Sequence, residues 1–231
     1  MSDISPAEWT AILLSIRVAV VATLFATPLG IALAWLLARR DFWGKAALDA
    51  LIHLPLVLPP VVTGYLLLLT FGRKGMVGAW LADNLGIVFA FRWTGAALAC
   101  GVMSFPLLVR PIRLSIEAID SRLEQAAGTL GASPWNVFFT VTLPLAAPGI
   151  LAGMILGFAK ALGEFGATIT FVSNIPGETQ TISSAIYALL QTPDGDAAAL
   201  RLVIVSVIIA VIALVASEVF ARHATRRLHG R

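Results

Sequence analysis

Long apolar segments are the feature that most constrains this sequence. Val18–Ala38 is 21 residues long and contains no charged side chain. A helix rises 1.5 Å per residue, so about 20 apolar residues cross the roughly 30 Å of hydrocarbon in a bilayer. The apolar segments predict transmembrane helices at about 10–38, 49–71, 93–110, 146–172 and 200–220. We therefore expect an all-α, polytopic membrane helical bundle with about five spans, forming one domain over residues 1–231.

The composition excludes the main soluble classes. The chain is 58% hydrophobic and 13% charged, whereas soluble domains are about 45–50% apolar and about 25% charged. A domain of this size cannot bury such an excess, which rules out a disordered chain or an ordinary cytosolic enzyme. The single cysteine, Cys100, permits no intrachain disulfide. Because Met1–Trp9 holds two acids and no base, we expect no cleavable signal peptide.

Basic residues are concentrated on alternate connections, which predicts the orientation. Ten of them follow the first, third and fifth spans: Arg39, Arg40, Lys45, Arg110, Arg113, Arg122, Arg222, Arg226, Arg227 and Arg231. The opposite side holds Arg73, Lys74 and Arg92, and an acidic stretch with Glu178, Asp194 and Asp196. The positive-inside rule then predicts a multi-pass inner (plasma) membrane protein with its N-terminus outside and its C-terminus in the cytoplasm. Residues 76–91 are predicted to form an external loop with a short interfacial helix.

The connection between the third and fourth spans is too long for a simple turn. It exceeds thirty residues, whereas helix–helix connections usually need about 2–8. Asp120 or Ser121 can cap a first short helix with the body Arg122–Leu130. Gly131 suits the left-handed position that follows a helix end.

A second short helix is predicted to follow in the same connection. Ser133 can cap it, and Pro134 fits its first position. The body of this helix runs over residues 135–140. We expect the Leu143-Pro144 pair to break the chain before the fourth span, because proline lacks the amide hydrogen that a continuing helix needs.

The first of these helices contains small residues where a lipid-facing helix would carry leucine or phenylalanine. They are Ala126, Ala127 and Gly128. An amphipathic helix lying on the membrane surface is the simple alternative. Small residues, however, let another protein approach closely, so a cytoplasmic docking helix is the preferred interpretation.

At this point the sequence resembles a known family, the inner-membrane permeases of ABC importers. Their cytoplasmic motif is Glu-Ala-Ala, three residues, Gly, nine residues, then Ile-x-Leu-Pro. This chain has Gln125-Ala126-Ala127, then Gly131, then Val141-Thr142-Leu143-Pro144 at the same spacing. Glu124 lies one place before the acidic position of the motif, which rotates its carboxylate by about 100° on a helix.

The resemblance implies a type I (MetI-like) importer fold with a cytoplasmic coupling-helix loop at about 120–145. In that family the loop lies in a groove of the ATP-hydrolysing subunit and transmits its motion. The coupling residues carried over are Glu124, Gln125, Ala126, Ala127, Gly131, Leu143 and Pro144. The implied partners are a second copy of the chain, two cytoplasmic ATPase subunits, and a periplasmic or surface-tethered oxyanion-binding protein.

Within this family the chain is similar to the molybdate permeases. The similarity runs over nearly the whole chain, including Phe105-Pro106 and the segment 162–179. It implies that the assembled transporter imports molybdate by alternating access. Sulfate, thiosulfate and tungstate permeases are also similar, so they remain alternatives.

Polar side chains in the fourth span form the predicted translocation pathway or gate. Lys160 and Glu164 are four residues apart, on one helix face and within pairing distance. They either form a neutralised packing pair or line the route of a dianion, with Lys160 supplying the positive charge. Thr168, Thr170 and Ser173 either donate to a tetrahedral oxyanion or bond their own helix backbone.

The chain lacks the sequence features expected of several other functions. The phosphate-binding pattern G-x-x-x-x-G-K-[ST] and the zinc motif HExxH do not occur. We therefore expect a non-catalytic permease subunit that binds no cofactor or metal, interacts with no nucleic acid, and relies on a partner to use ATP. An intramembrane enzyme would need a pair of catalytic groups at a suitable spacing, and this chain has none. A stand-alone ion-coupled secondary carrier would usually show internal repeats and more spans. Neither feature occurs in this sequence.

Overall fold

The structure, a computed structural model, describes residues 4–228, and throughout that range it consists of helices and connecting loops. The α-helices are α1 (Pro6–Arg39), α2 (Lys45–Val57), α3 (Pro60–Phe71), α4 (Met76–Leu85), α5 (Trp93–Glu117), α6 (Ser121–Thr129), α7 (Pro134–Val137), α8 (Leu143–Leu162), α9 (Gly166–Val172), α10 (Ile182–Leu189) and α11 (Asp196–Leu228). A π-helical segment, Phe138–Thr142, joins α7 to α8. Helix α4 lies in the segment predicted to hold a short interfacial helix.

Four helical segments in the described part of the chain are long and apolar enough to cross a membrane. They are Pro6–Arg39, Trp93–Glu117, Pro134–Leu162 and Asp196–Ala216. The bent pair α2 and α3 makes a fifth if it counts as one span. The all-α bundle with about five spans is therefore confirmed.

The second span is broken. Helices α2 and α3 are bent by 115° relative to each other, because the backbone is extended at Leu58 and non-helical at Pro59. A residue before proline is disfavoured in the helical conformation, and two prolines occur in succession here. The chain therefore turns sharply between the two helices. Helix α3 has 12 residues and rises only about 18 Å.

Helices α1, α5 and α8 form the centre of the bundle, and small residues let α8 approach α5 closely. A Cβ atom added to Gly153 would lie 2.5 Å from the carbonyl oxygen of Leu108 on α5. One added to Gly149 would lie 2.2 Å from Cβ of Ser115. Gly149 and Gly153 therefore pack against another helix of the same chain, in the small-xxx-small pattern that membrane helices use.

The fourth span is interrupted near one end. Helix α8 ends at Leu162, and residues 163–165 lie between it and α9. The Cys100 thiol donates to the Ala161 carbonyl oxygen at 3.4 Å, so the end of α8 is level with the first third of α5. Cys100 is seven residues after Trp93, the first residue of α5. The break therefore lies at a depth of about 10 Å along α5, measured from Trp93.

The 120–145 connection contains the first predicted short helix, α6, and the second predicted helix begins at its predicted cap but continues into the fourth span. The Asp120 side chain accepts from the amide of Arg122 at the start of α6. Gly131 has φ of +86°, the left-handed conformation expected after the helix. The Ser133 side chain accepts from the amide of Asn136, and Pro134 begins α7.

The predicted chain break at Leu143-Pro144 is wrong. The helix continues from Pro134 to Leu162, passing through the π-helical segment Phe138–Thr142. There the Leu143 amide bonds the Phe138 carbonyl, five residues back. We attribute the continuity to this wider turn, which gives the helix a backbone arrangement that accommodates the missing amide of Pro144.

Candidate functional site

Helix α6 presents an almost fully accessible surface. None of its residues is buried, and Gln125 and Ala126 are exposed, while Ala127 is half-buried. Two large apolar side chains follow the helix, Leu130 with 89% and Trp135 with 73% of its surface exposed. Small residues next to exposed apolar ones form the kind of patch that other proteins cover.

Glu124 ties α6 to two membrane helices. One oxygen of its carboxylate lies 3.0 Å from Nε of Arg39 at the end of α1, and the other accepts from Thr142 Oγ1 at 2.6 Å. Arg39 also donates to the carbonyl oxygen of Ile119 at 3.1 Å. These contacts connect α6 to the end of α1 and to the residue that precedes α8.

The one-place shift of the acid in the motif has a structural consequence. Gln125, at the acidic position of the motif, is exposed, whereas Glu124 points toward the bundle and is only 18% exposed. Sequence reasoning missed Arg39 and Thr142 as its partners. The only sequence signal was the rotation of the carboxylate by about 100°.

Three further predicted coupling residues occupy the ends of this connection. Gly131 forms the turn after α6, its amide donating to the carbonyl oxygen of Gly128 at 3.0 Å. Leu143 is half-buried and Pro144 is exposed, both in the first turn of α8.

Lys160 and Glu164 form an ion pair beside the break in the fourth span. Lys160 Nζ lies 2.7 Å from Glu164 Oε2. The other carboxylate oxygen accepts from the amide of Ala167 at 3.0 Å, in the first turn of α9. The Lys160 side chain is 30% exposed and that of Glu164 only 2%. Both oxygens of Glu164 are thus engaged, while part of the Lys160 side chain remains accessible.

The predicted hydroxyl donors are engaged within their own helix. Thr168 Oγ1 donates to the carbonyl oxygen of Phe165 at 2.8 Å, and Thr170 Oγ1 to that of Gly166 at 2.9 Å. Ser173 is exposed and has φ of +65°. The Ser173 carbonyl oxygen accepts from Thr179 Oγ1 at 3.1 Å. Both threonines therefore follow the backbone-bonding alternative.

Two other features lie near the break. The Phe165 ring packs 5.0 Å from that of Tyr187, so α10 covers the break. Within the described part of the chain, Thr63 Oγ1 and Asn174 Oδ1 are buried without a hydrogen-bond partner. No group of three or more His, Cys, Asp or Glu residues that could hold a metal ion occurs among the described residues.

The coupling residues and the polar pair are separate but share α8. Leu143 begins this helix, and Lys160 lies in its last turn. Seventeen residue steps along the axis place them about 26 Å apart. One continuous helix therefore links the 120–145 connection to the break.

Comparisons with known proteins agree with this architecture. Residues 26–229 match the family described as "Binding-protein-dependent transport system inner membrane component". The chain is 61% identical over 220 residues to the molybdenum transport system permease protein ModB of Escherichia coli (strain K12), covering 95% of this chain and 96% of that protein. It is 40% identical over 192 residues to the sulfate transport system permease protein CysT of the same strain, covering 83% and 68% respectively.

A solved structure supports the fold. The MetNI methionine ABC transporter in inward facing conformations superposes with a TM-score of 0.73 at 16% identity, covering 98% of this chain and 100% of that chain. This likeness confirms the MetI-like permease fold. With the sequence match over most of its length, it shows that the chain belongs to the family of inner membrane components of binding-protein-dependent transport systems.

Proposed function

We propose that this protein is the permease subunit of an ATP-driven importer that moves molybdate into the cytoplasm. The observation that carries the proposal is the 61% identity to a molybdenum transport permease over 95% of the chain. The identity to a sulfate permease is lower, at 40% over 83% of the chain. Tungstate resembles molybdate in shape and charge, so we expect it to be a competing substrate.

In this proposal, energy enters through the 120–145 connection. Two copies of the permease assemble with two ATPase subunits, which hydrolyse ATP, so the permease itself is non-catalytic. The exposed surface of α6, together with Leu130 and Trp135, is the proposed docking surface. Motion of α6 passes through Glu124 to Arg39 and Thr142, and the spans then alternate between inward-open and outward-open states.

The proposed pathway passes Lys160. Its side chain is accessible, whereas Glu164 is buried behind it, so an approaching dianion would meet the ammonium group first. A positive group lowers the electrostatic barrier that an anion meets in a low-dielectric region. Glu164 holds Lys160 in place and caps α9, while Thr168, Thr170 and Ser173 shape the adjacent backbone.

The distribution of basic residues supports an orientation with the N-terminus outside and the C-terminus in the cytoplasm. The 120–145 connection is then cytoplasmic, where ATPase subunits would reach it. The break at residues 163–165 lies toward the outer face. A periplasmic or surface-tethered binding protein would deliver the anion there.

Uptake into vesicles tests this function directly. The permease is reconstituted with its ATPase and binding protein, and molybdate uptake is measured with and without ATP. We expect uptake that requires ATP, is inhibited by tungstate, and is little affected by an equal concentration of sulfate. Stronger inhibition by sulfate than by tungstate would assign the chain to sulfate transport, and ATP-independent uptake would contradict an importer of this class.

The Glu124–Arg39 pair yields a further prediction. Glu124→Gln is expected to reduce uptake by about tenfold while the complex still assembles, because it removes the ion pair with Arg39. A loss of about 1.4 kcal/mol corresponds to a factor of ten. Uptake and ATP hydrolysis are measured for Glu124→Gln, Arg39→Met and the double variant. If the pair acts as one unit, uptake by the double variant should be no lower than uptake by the less active of the two single variants. Strictly multiplicative losses would mean that the two residues act independently.

A further inference from the structure

We propose that Arg17 and Trp93 form a binding site for the phosphate of an anionic phospholipid. The Arg17 guanidinium carbon lies 3.7 Å from the centroid of the Trp93 ring. At this distance the cation stacks on the face of the indole, which holds it in a defined orientation. Stacking occupies the flat face of the guanidinium and leaves its in-plane N–H groups available as donors.

Arg17 interrupts an apolar face of α1. Leu13, Val20 and Leu24 are exposed on that face, one or two helical turns from Arg17, which is also exposed. These side chains are exposed in the chain, so in a bilayer they are open to lipid. None of the ion pairs among the described residues involves Arg17. The counter-ion of this cation is therefore expected to come from the lipid.

The depth of Arg17 in the membrane fits a phospholipid headgroup. Ala38 is the last residue of α1 before the basic pair Arg39-Arg40, and about 20 residues of helix span the hydrocarbon. Counting back from Ala38 places the opposite boundary of the hydrocarbon next to Arg17, so the part of α1 before Arg17 extends into the headgroup region. Trp93 begins α5, and its position at that boundary agrees with the preference of tryptophan for the membrane interface.

The chemistry at this position favours a phosphodiester. A guanidinium donates two parallel hydrogen bonds to phosphate oxygens, and Arg92, exposed beside Trp93, adds a second positive charge. The exposed Val20 and Leu24, on the hydrocarbon side of Arg17, favour a ligand with acyl chains over a free oxyanion. Phosphatidylglycerol combines a net negative charge with such chains. The assignment of this site to the outer leaflet rests on the proposed orientation, whereas the site itself does not.

Native mass spectrometry of the purified full chain, titrated with phosphatidylglycerol or phosphatidylcholine, tests the site. We expect Arg17→Gln to weaken phosphatidylglycerol binding about fivefold, as one basic residue at a membrane surface contributes about 1 kcal/mol. Arg17→Lys keeps the charge but loses the two-pronged geometry, so its loss should be smaller. Arg73→Gln removes another exposed basic residue and serves as the control, with unchanged binding.

A photoactivatable phosphatidylglycerol in vesicles provides a test that needs no variant. We expect labelled peptides from the wild-type chain to contain residues 13–24 or 89–97. Labelling of neither segment, or equal lipid binding by wild type and Arg17→Gln, would overturn the proposal. Displacement of the lipid label by millimolar molybdate would also overturn it, because the site would then be an oxyanion site. Uptake activity does not enter either readout, so failure here leaves the transport proposal intact.

Discussion

Replacing Gly131 with proline is expected to abolish ATP-driven molybdate uptake while the protein still inserts into the membrane. Gly131 has φ of +86°, whereas proline fixes φ near −65° and has no amide hydrogen. The substitution therefore removes the hydrogen bond from the Gly131 amide to Gly128 and forces the chain after α6 into another direction. The surface proposed to meet the ATPase would be lost, although the membrane helices remain apolar and intact.

Gly131→Asn provides the matched control. Asparagine adopts the left-handed conformation more readily than other residues with a side chain, and a Cβ atom at Gly131 would meet nothing within 4 Å. This variant should retain most of the uptake. Bulky replacements at the exposed Ala126 should resemble Gly131→Pro, since they block close approach without altering the turn. Normal uptake by both Gly131→Pro and Ala126→Trp would remove the coupling role from this connection.

The second large effect is expected at Lys160. Lys160→Met should slow uptake by about tenfold or more, because it removes the positive group proposed to lower the barrier for the anion. It also leaves Glu164, which is only 2% exposed, as an unpaired buried charge. Breaking a buried pair in this way costs about 3–5 kcal/mol. Uptake alone would therefore not separate transport from folding.

The double variant Lys160→Met with Glu164→Gln separates the two effects. Glutamine retains an oxygen that can accept from the Ala167 amide, so the cap of α9 is kept while the buried charge is removed. We expect the thermal stability to recover and uptake to stay low. Recovery of both stability and uptake would instead give Lys160 a packing role.

Local sequence signals were sufficient to predict helix α6 and the residue at which α7 begins. The caps at Asp120 and Ser133 and the left-handed Gly131 depend on residues within a few positions of each other, and the structure has all three. The apolar segments likewise predicted the number of spans, since helix length and bilayer thickness are linked by simple geometry.

Contacts between distant segments could not be predicted in the same way. Arg39 precedes Glu124 by 85 positions, and no local pattern connects them. The close approach of Gly153 on α8 to Leu108 on α5 likewise has no local pattern behind it. The π-helical segment before Pro144 is a backbone adjustment with no pattern of its own.

Side-chain hydroxyls were ambiguous for a different reason. Thr168 and Thr170 have the chemistry to bind an oxyanion, yet each donates to a nearby backbone carbonyl oxygen. Threonine in a helix often makes this bond because the acceptor is one turn away. Sequence alone does not distinguish the two uses, since both need the same residue type.

Crosslinking from α6 in the assembled transporter tests the central claim most directly. The only native cysteine, Cys100, is buried and is replaced by alanine. A cysteine introduced at Ala126 then carries a short photoactivatable crosslinker. The account predicts crosslinks to an ATPase subunit that change in yield when ATP is bound. Crosslinks to lipid alone, or to no other molecule, would contradict it.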